Sequence, residues 1–342
     1  MIHIKSFFVV IVTAGILFSL AMRATADEGS NDINMLGAFT VNDEIYVGRV
    51  GSPDAKRITS GWPDYKPSWS PDGKWIVFFR IVKNHTLAIP KWKTKICVVS
   101  PDGGTLRELT SGEFADYNPT WMRDGTNRII INRYDPGQNR GYLYLTTPDA
   151  KVGDETCVSN PDFSEFGHCG MKDGRIVIST SQGLAFSYLF SSSENGMYSP
   201  PFMRLLTPDP GKIGRYENLR YDTKITMLPN RVTLSPDEKK MTFEMDNSFG
   251  QFGYAGHPLV VADFDGALAA VTRLTTFCFT AADEFALYPA WTADAKGIIY
   301  FAGSVGSKYQ FYLYDVARGK SIRVSPDRMS EYKYFCGAST PK

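Results

Sequence analysis

His85, His168 and His257 are the three histidines that follow a leader ending near Ala26, and each falls in or beside an irregular stretch. Imidazole is the side chain best suited to move protons near neutral pH. If His168, His257, Tyr254 and Arg220 converged, His or Tyr could take the proton α to a uronate carboxylate while Arg220 stabilised the developing charge. The stretch 207–229 interleaves Arg215, Tyr216, Arg220 and Tyr221 with lysines, and Arg231 follows it. Such a mixture suits an anionic, ring-shaped ligand, with Arg forking to a carboxylate and Tyr stacking, although an ordinary solvated loop has the same composition. Two acid–aromatic pairs, Asp64-Tyr65 and Asp116-Tyr117, stand ahead of Pro-x-Trp motifs and could bind a cation or sugar hydroxyls at an inner rim. The plainer alternative has each carboxylate capping backbone donors and each ring packing between repeats. His85, in Asn84-His85-Thr86, reads as an exposed loop residue that a ligand could touch.

Other chemistries are disfavoured. No Gly-x-Ser-x-Gly elbow occurs, and Gly303-Ser-Val-Gly306 does not match one, which argues against a serine peptidase. The glycines of 246–257 permit close approach of a ligand but lack the βαβ setting of a dinucleotide fingerprint. The 37 basic and 36 acidic residues become 35 and 36 once Lys5 and Arg23 leave with the leader, so the clustered basic excess that nucleic acid requires is missing. The five cysteines at 97, 157, 169, 278 and 336 have no Cys-x-x-Cys spacing, so no metal ligands are assigned. If a disulfide forms, Cys157–Cys169 or Cys278–Cys336 is the expected pair, with at least one thiol left over.

The elements that must position these residues repeat. Pro67-Ser-Trp-Ser-Pro-Asp-Gly73 joins an apolar strand ending at Trp69 to another starting at Trp75, because Pro fixes φ and Gly supplies a positive one. Copies occur at Pro119-Thr-Trp121 and Pro289-Ala-Trp291, with degenerate ones at Leu234 and at Cys169, the last with one extra residue in its turn. His168 would then stand where other copies have Ser68, Thr120, Thr233 and Ala290. Ahead of each copy lies a short strand such as Ile58-Thr59 or Leu109-Thr110. Each unit is thus four strands, at the spacing of propeller blades.

These motifs resemble the TolB-type propeller repeats, whose blades carry a Leu-Thr strand, then Pro-x-Trp-Ser-Pro-Asp-Gly and an apolar strand. The resemblance covers roughly residues 36–336. It implies a fold and leaves function open, since such repeats serve interaction proteins, carbohydrate-active enzymes and peptidase accessory domains. TolB itself has an α/β domain ahead of its propeller, for which this sequence leaves no room, so its role in the Tol system is not expected. Propeller polysaccharide lyases such as oligogalacturonate lyase are similar at the level of repeats. Their histidine metal cluster has no residue-by-residue match, so no cofactor is assigned, while a divalent metal stays open.

In order, residues 1–26 read as a cleavable secretory signal, with Lys5 at its positive end and Ala24-Thr25-Ala26 as cleavage site, giving a periplasmic or secreted protein without a mature membrane span. Residues 27–35 form a polar lead. Residues 36–342 should form one all-β domain, a monomeric six-bladed propeller of four-stranded antiparallel blades, or seven-bladed if 181–229 hides strands, with Leu36–Val41 sharing a blade with the last strands. Loops linking second to third strands and successive blades are long and irregular, and functional residues favour such loops. Two functions are therefore expected to compete. One is an exported binding module for an envelope protein or acidic glycan, the other a polysaccharide lyase or glycosidase acting on a uronate-containing glycan.

Overall fold

A computed structural model describes residues 33–83, 92–159, 165–180, 183–188, 204–205, 228–246, 259–266, 270–278, 284–304, 307–326 and 330–338. Of the stretch 1–33 only Ile33 is described, and residues 34–342 form one compact unit. Among the described residues there is no helix, and the strands form six antiparallel four-stranded sheets.

The first three strands are β1 (Leu36–Val41), β2 (Glu44–Arg49) and β3 (Lys56–Arg57). The second sheet is β4 (Asp64–Trp69), β5 (Ile76–Lys83), β6 (Lys93–Val99) and β7 (Leu106–Glu108), and the third β8 (Ala115–Trp121), β9 (Ile129–Asp135), β10 (Arg140–Thr146) and β11 (Thr156–Cys157). The fourth is β12 (Glu165–Gly170), β13 (Arg175–Thr180), β14 (Gly183–Tyr188) and β15 (Arg204–Leu205), and the fifth β16 (Leu228–Leu234), β17 (Lys240–Asp246), β18 (Leu259–Asp265) and β19 (Ala270–Cys278). The sixth comprises β20 (Glu284–Trp291), β21 (Gly297–Ser304), β22 (Gln310–Asp315) and β23 (Lys320–Arg323). The last strand, β24 (Tyr332–Gly337), returns to pair with β1, from Gly37 opposite Gly337 to Val41 opposite Tyr332. The first strands of the sheets touch in sequence, β24 to β4, β8, β12, β16, β20 and back to β24, as the inner strands of a β-propeller do.

Strands buried on both faces are near-continuous apolar runs. In β5, Ile76 and Phe78 pack towards Ala38 and Ile45 of the first sheet. Val77, Phe79 and Ile81 pack the other way, with Tyr117, Trp121 and Ile129 of the third. The short outer strands are fixed by the repeated Leu-Thr pair. Leu109 N donates to Ile96 O at 2.7 Å while Ile96 N donates to the Thr110 hydroxyl at 3.0 Å, and Ile58 and Thr59 hold Ile45 in the same way.

The Ser-Pro-Asp-Gly turn closes on itself. Ser70 Oγ donates to Asp72 Oδ1 at 2.7 Å, Lys74 N donates to the same oxygen at 3.1 Å, and Trp75 N donates to Ser70 Oγ at 2.9 Å. Ser235 with Asp237 and Thr292 with Asp294 repeat the arrangement. These hydroxyls and carboxylates are engaged in turn chemistry at one end of the sheets, which is hereafter the turn end.

The turns also correct the repeat register. Met171 N donates to Arg175 O as Ser70 N does to Trp75 O, so Gly170, and not Cys169, occupies the third Trp position, and Gly337 occupies the last. That turn is one residue shorter than its counterparts rather than longer. A side chain at Gly170 would lie 2.7 Å from Trp121 O, and one at Gly337 would lie 2.9 Å from Trp291 O, because the neighbouring sheet's backbone fills the place of the indole. His168 therefore aligns with Pro67, Pro119 and Pro289, and Cys169 and Cys336 with Ser68. The disulfide expectation is also corrected, since none of the five cysteines is bridged. Cys169 is buried while Cys157 lies exposed on another sheet, and Cys336 Sγ accepts a hydrogen bond from Trp69 N at 3.3 Å. Burial raises the Cys97 thiol to about 12.

Candidate functional site

Every sheet carries a register shift at the same place near the start of its inner-strand ladder, between Tyr65 and Ser68, Tyr117 and Thr120, Glu165 and Gly167, Asn230 and Thr233, and Leu287 and Ala290, with the last between Phe39 and Thr40 of β1. At five of these bulges the chain turns through a left-handed residue. None of the five is glycine: Lys66 (φ 55°), Asn118 (52°), Arg231 (50°), Tyr288 (53°) and Tyr334 (47°). Each such residue costs on the order of 1 kcal/mol or more, and clustered backbone strain of this sort marks functional sites.

These side chains meet although their strands do not all adjoin. Lys66 Nζ donates to Asn118 Oδ1 at 2.5 Å and lies 4.8 Å from the centroid of the Tyr288 ring. The Arg231 guanidinium carbon is 4.2 Å from that ring, and Arg231 Nη1 pairs with Glu244 Oε2. Glu244 is fully buried, and its other oxygen accepts from Tyr288 N at 2.5 Å. Tyr334 meets Tyr288 edge to face at 4.6 Å, while Phe301 stacks on Tyr288 at 5.4 Å. Strands β4, β8, β16, β20 and β24 thus bring a cation–aromatic cluster to the axis. Because each inner strand starts at the end opposite the turns, the cluster lies towards the loop end.

Its electrostatics are unusual. Burial, helped by the positive Arg231 and opposed by Glu244, lowers the Lys66 ammonium to about 7. Burial likewise pushes Tyr334 well above the ordinary phenol value, so it stays protonated. Arg123 reaches past β12 to Ser235 O at 3.0 Å and Leu234 O at 3.1 Å, with Glu238 at 3.9 Å.

Of the plainer reading of the acid–aromatic pairs, the packing of the rings between repeats agrees with the structure and the capping of backbone donors does not. Asp64 does not cap backbone donors: its two oxygens accept from Arg80 Nε at 2.7 Å and Nη2 at 2.8 Å, wholly buried. Asp116 holds Arg133 in the same way at 2.6 and 3.0 Å, and Glu155 adds a third contact at 2.7 Å. Tyr65 is buried, donates to Asp43 Oδ1 at 2.7 Å and packs against Phe79, and Tyr117 lies in the core between sheets. Inward carboxylates here find guanidinium partners on the adjacent strand.

His168 is 4 % exposed, with Nε2 3.2 Å from Ile130 O. Burial, reinforced by the charge on Lys66, lowers its imidazole to about 3, so it is neutral at physiological pH and a weak base. His257, Tyr254, Arg220, Arg215, Tyr216 and His85 lie outside the described residues. The expected lyase constellation gains no support from His168 alone. Among the described residues, no cluster of three or more His, Cys, Asp or Glu could hold a metal ion. Of the residues named from sequence, Arg231 joins the axial cluster. Lys66, Asn118, Glu244, Tyr288 and Tyr334 were missed, although three of them immediately follow an acid–aromatic pair or precede the proline of a Pro-x-Trp motif.

The sheets, their bulged inner strands and the closing pair β1–β24 define a β-propeller. No protein-family model and no curated protein matches the chain. Among solved structures it is similar to TolB from Acinetobacter baumannii at 14% identity and a TM-score of 0.61, over 95% of this chain and 72% of that one. It is similar to a putative TolB from Agrobacterium tumefaciens at 12% identity and a TM-score of 0.53, over 88% and 98% respectively. A third neighbour is the periplasmic gluconolactonase PpgL of Pseudomonas aeruginosa, at 11% identity and a TM-score of 0.51, over 87% and 82%. At these identities the likeness is one of fold alone.

Proposed function

We propose that the chain is an exported, non-enzymatic binding module: a closed, monomeric six-bladed ring that holds an envelope protein or acidic glycan at its loop end. The observation that carries this reading is the convergence of Lys66, Arg231, Tyr288 and Tyr334 from separate inner strands on that end of the axis. Two exposed aromatics, Trp62 and Phe114, stand at the same point of successive repeats, two residues before Asp64 and Asp116, and enlarge the same face. The six sheets and the return of β24 to β1 support the blade count. The leader-like residues 1–26 support export, and one fold neighbour is periplasmic by name. Among the described residues no helix is long and apolar enough to cross a membrane.

Affinity capture from envelope extract and from a set of acidic glycans tests the reading. The mature chain should retain a specific ligand. The double variant Trp62→Ser/Phe114→Ser should lose most of it, whereas Leu106→Ser/Val152→Ser at the turn end should keep it. Retention of nothing by the folded wild-type chain would overturn the proposal.

A further inference from the structure

We propose that a cavity at the loop end of the third sheet, away from the axis, holds a neutral pyranose sugar. The inference rests on the reading of the loop end as the ligand-holding end, and it names one unit of what is held there.

The first argument is the space itself. The ladders place Tyr142 opposite Arg133, and Tyr144 opposite both Ile131 and Cys157, so these side chains share the face of the third sheet that packs towards the second. The first and second sheets close the equivalent place with an ion pair between their third and fourth strands, Glu44 to Arg57 at 3.1 Å and Lys95 to Glu108 at 2.5 Å. In the third sheet Tyr142 takes the position of Glu44 and Lys95, and Cys157 that of Arg57 and Glu108. A ring and a short thiol do not close it, and a cavity of about 360 Å³ remains, bordered also by Phe114, Tyr134 and Gln138. That is the small end of the ~300–1,000 Å³ range of ligand pockets, and it suits a single sugar ring.

The second argument is charge. Arg133 already lies between the rings of Phe114 and Tyr144, held by Asp116 and Glu155. A cationic ligand would meet that guanidinium where an aromatic cage would otherwise receive it. Asp135 also borders the cavity and stands opposite Arg140 in the ladder, whose guanidinium carbon is 5.6 Å from the centroid of the Tyr142 ring. Two guanidiniums, Arg133 and Arg140, therefore face three carboxylates, Asp116, Asp135 and Glu155, and the surplus opposes an anion. What the site accepts is neutral.

The third argument is hydrogen bonding. Tyr142 donates its hydroxyl proton to Gln138 Oε1 at 2.5 Å and Tyr134 donates to Asn139 Oδ1, which leaves both phenol oxygens as acceptors. Asp135 Oδ1 accepts from Gly137 N at 2.8 Å and Gln138 N at 3.3 Å, while among the described residues nothing bonds to Asp135 Oδ2 or to Gln138 Nε2. The walls thus offer several acceptors, an amide donor and aromatic rings. A pyranose presents the complement, hydroxyl donors around its rim and an apolar C–H face, whereas a plain hydrocarbon would leave the polar groups unpaired.

The test is isothermal titration calorimetry of the mature chain with the methyl glycosides of glucose, galactose and mannose, and with glucuronate and choline as the acidic and cationic arms. Binding of a neutral glycoside in preference to both supports the inference. The bound sugar should also slow alkylation of Cys157 by iodoacetamide severalfold, since that exposed thiol borders the cavity, while Cys278 on another sheet reacts as before. Cys157→Trp, a substitution at an exposed position of the outer strand β11, should fill the cavity and abolish sugar binding with the thermal midpoint unchanged. Gln138→Ala, also exposed, should weaken binding about fivefold through the lost amide contact. Preference for glucuronate or choline, unchanged sugar affinity in folded Cys157→Trp, or no binding of any neutral glycoside would overturn it. A wild-type chain that retains an envelope ligand yet binds no neutral glycoside sinks this inference and leaves the binding reading standing, while glycoside binding that Cys157→Trp blocks, without any captured envelope ligand, does the reverse.

Discussion

Removing residues 332–342 should leave no cooperatively folding ring, whereas removing 27–34 should shift the thermal midpoint by no more than a few degrees. The first deletion takes away β24, which pairs along β1, adjoins β4 and β20, and buries Tyr332 and Phe335 against the neighbouring sheets. Fully burying an apolar side chain of this size contributes about 1.5–3 kcal/mol. Two such side chains, the Tyr334 cluster and a complete strand ladder together rival the ~5–15 kcal/mol stability of a whole domain. At the other end, the described groups at stake include the bond from Asn34 N to Asp294 Oδ2 at 2.8 Å and the one that Asn34 Oδ1 accepts from Leu36 N at 3.1 Å. Equal effects of the two deletions in a thermal melt followed by near-ultraviolet circular dichroism would show that β24 does not close the ring.

Asp64→Ala should cost about 3–5 kcal/mol in urea unfolding, because it leaves the Arg80 guanidinium buried without its carboxylate partner. Asp116→Ala should cost less. Arg133 keeps Glu155 at 2.7 Å and remains between the rings of Phe114 and Tyr144, whose centroids lie 4.3 and 4.5 Å from its guanidinium carbon. Replacing both members of the first pair, as Asp64→Leu/Arg80→Met, should recover much of the loss, since the isolated charge and not the missing attraction is what destabilises. A larger cost for Asp116→Ala than for Asp64→Ala would contradict this ordering.

The scaffold was legible because its turns are chemical. Ser70, Asp72 and Gly73 are required by hydrogen bonds and a positive φ that few other residues supply, and Thr59 and Thr110 by the strand they cap, so spacing alone revealed four-stranded units. The register slipped in the fourth sheet because Gly170 and Met171 carry none of that chemistry, and a cysteine beside them passed for the missing indole. The axial cluster was less legible for a different reason. The bulge position holds Lys66, Asn118, Arg231, Tyr288 and Tyr334 in turn, with no residue type common to all, and what unites them is a backbone conformation. Glu244 comes from the adjacent strand β17, opposite Asn230, and nothing in the local sequence marks it as the partner of Arg231 thirteen residues before it. The carboxylates misled in the opposite direction. Asp64 and Asp116 look like rim ligands in sequence, and nothing in the short-range pattern marks Arg80 and Arg133, sixteen and seventeen residues on, as their partners.

Hydroxyl-radical footprinting of the mature chain, alone and with the captured ligand bound, tests most directly whether the loop end is the binding end. The account predicts loss of oxidation at Trp62, Phe114 and Tyr288 with no change at Leu106 and Val152, which lie at the turn end. Protection confined to Leu106 and Val152, with Trp62, Phe114 and Tyr288 oxidised as in the unliganded protein, would contradict it.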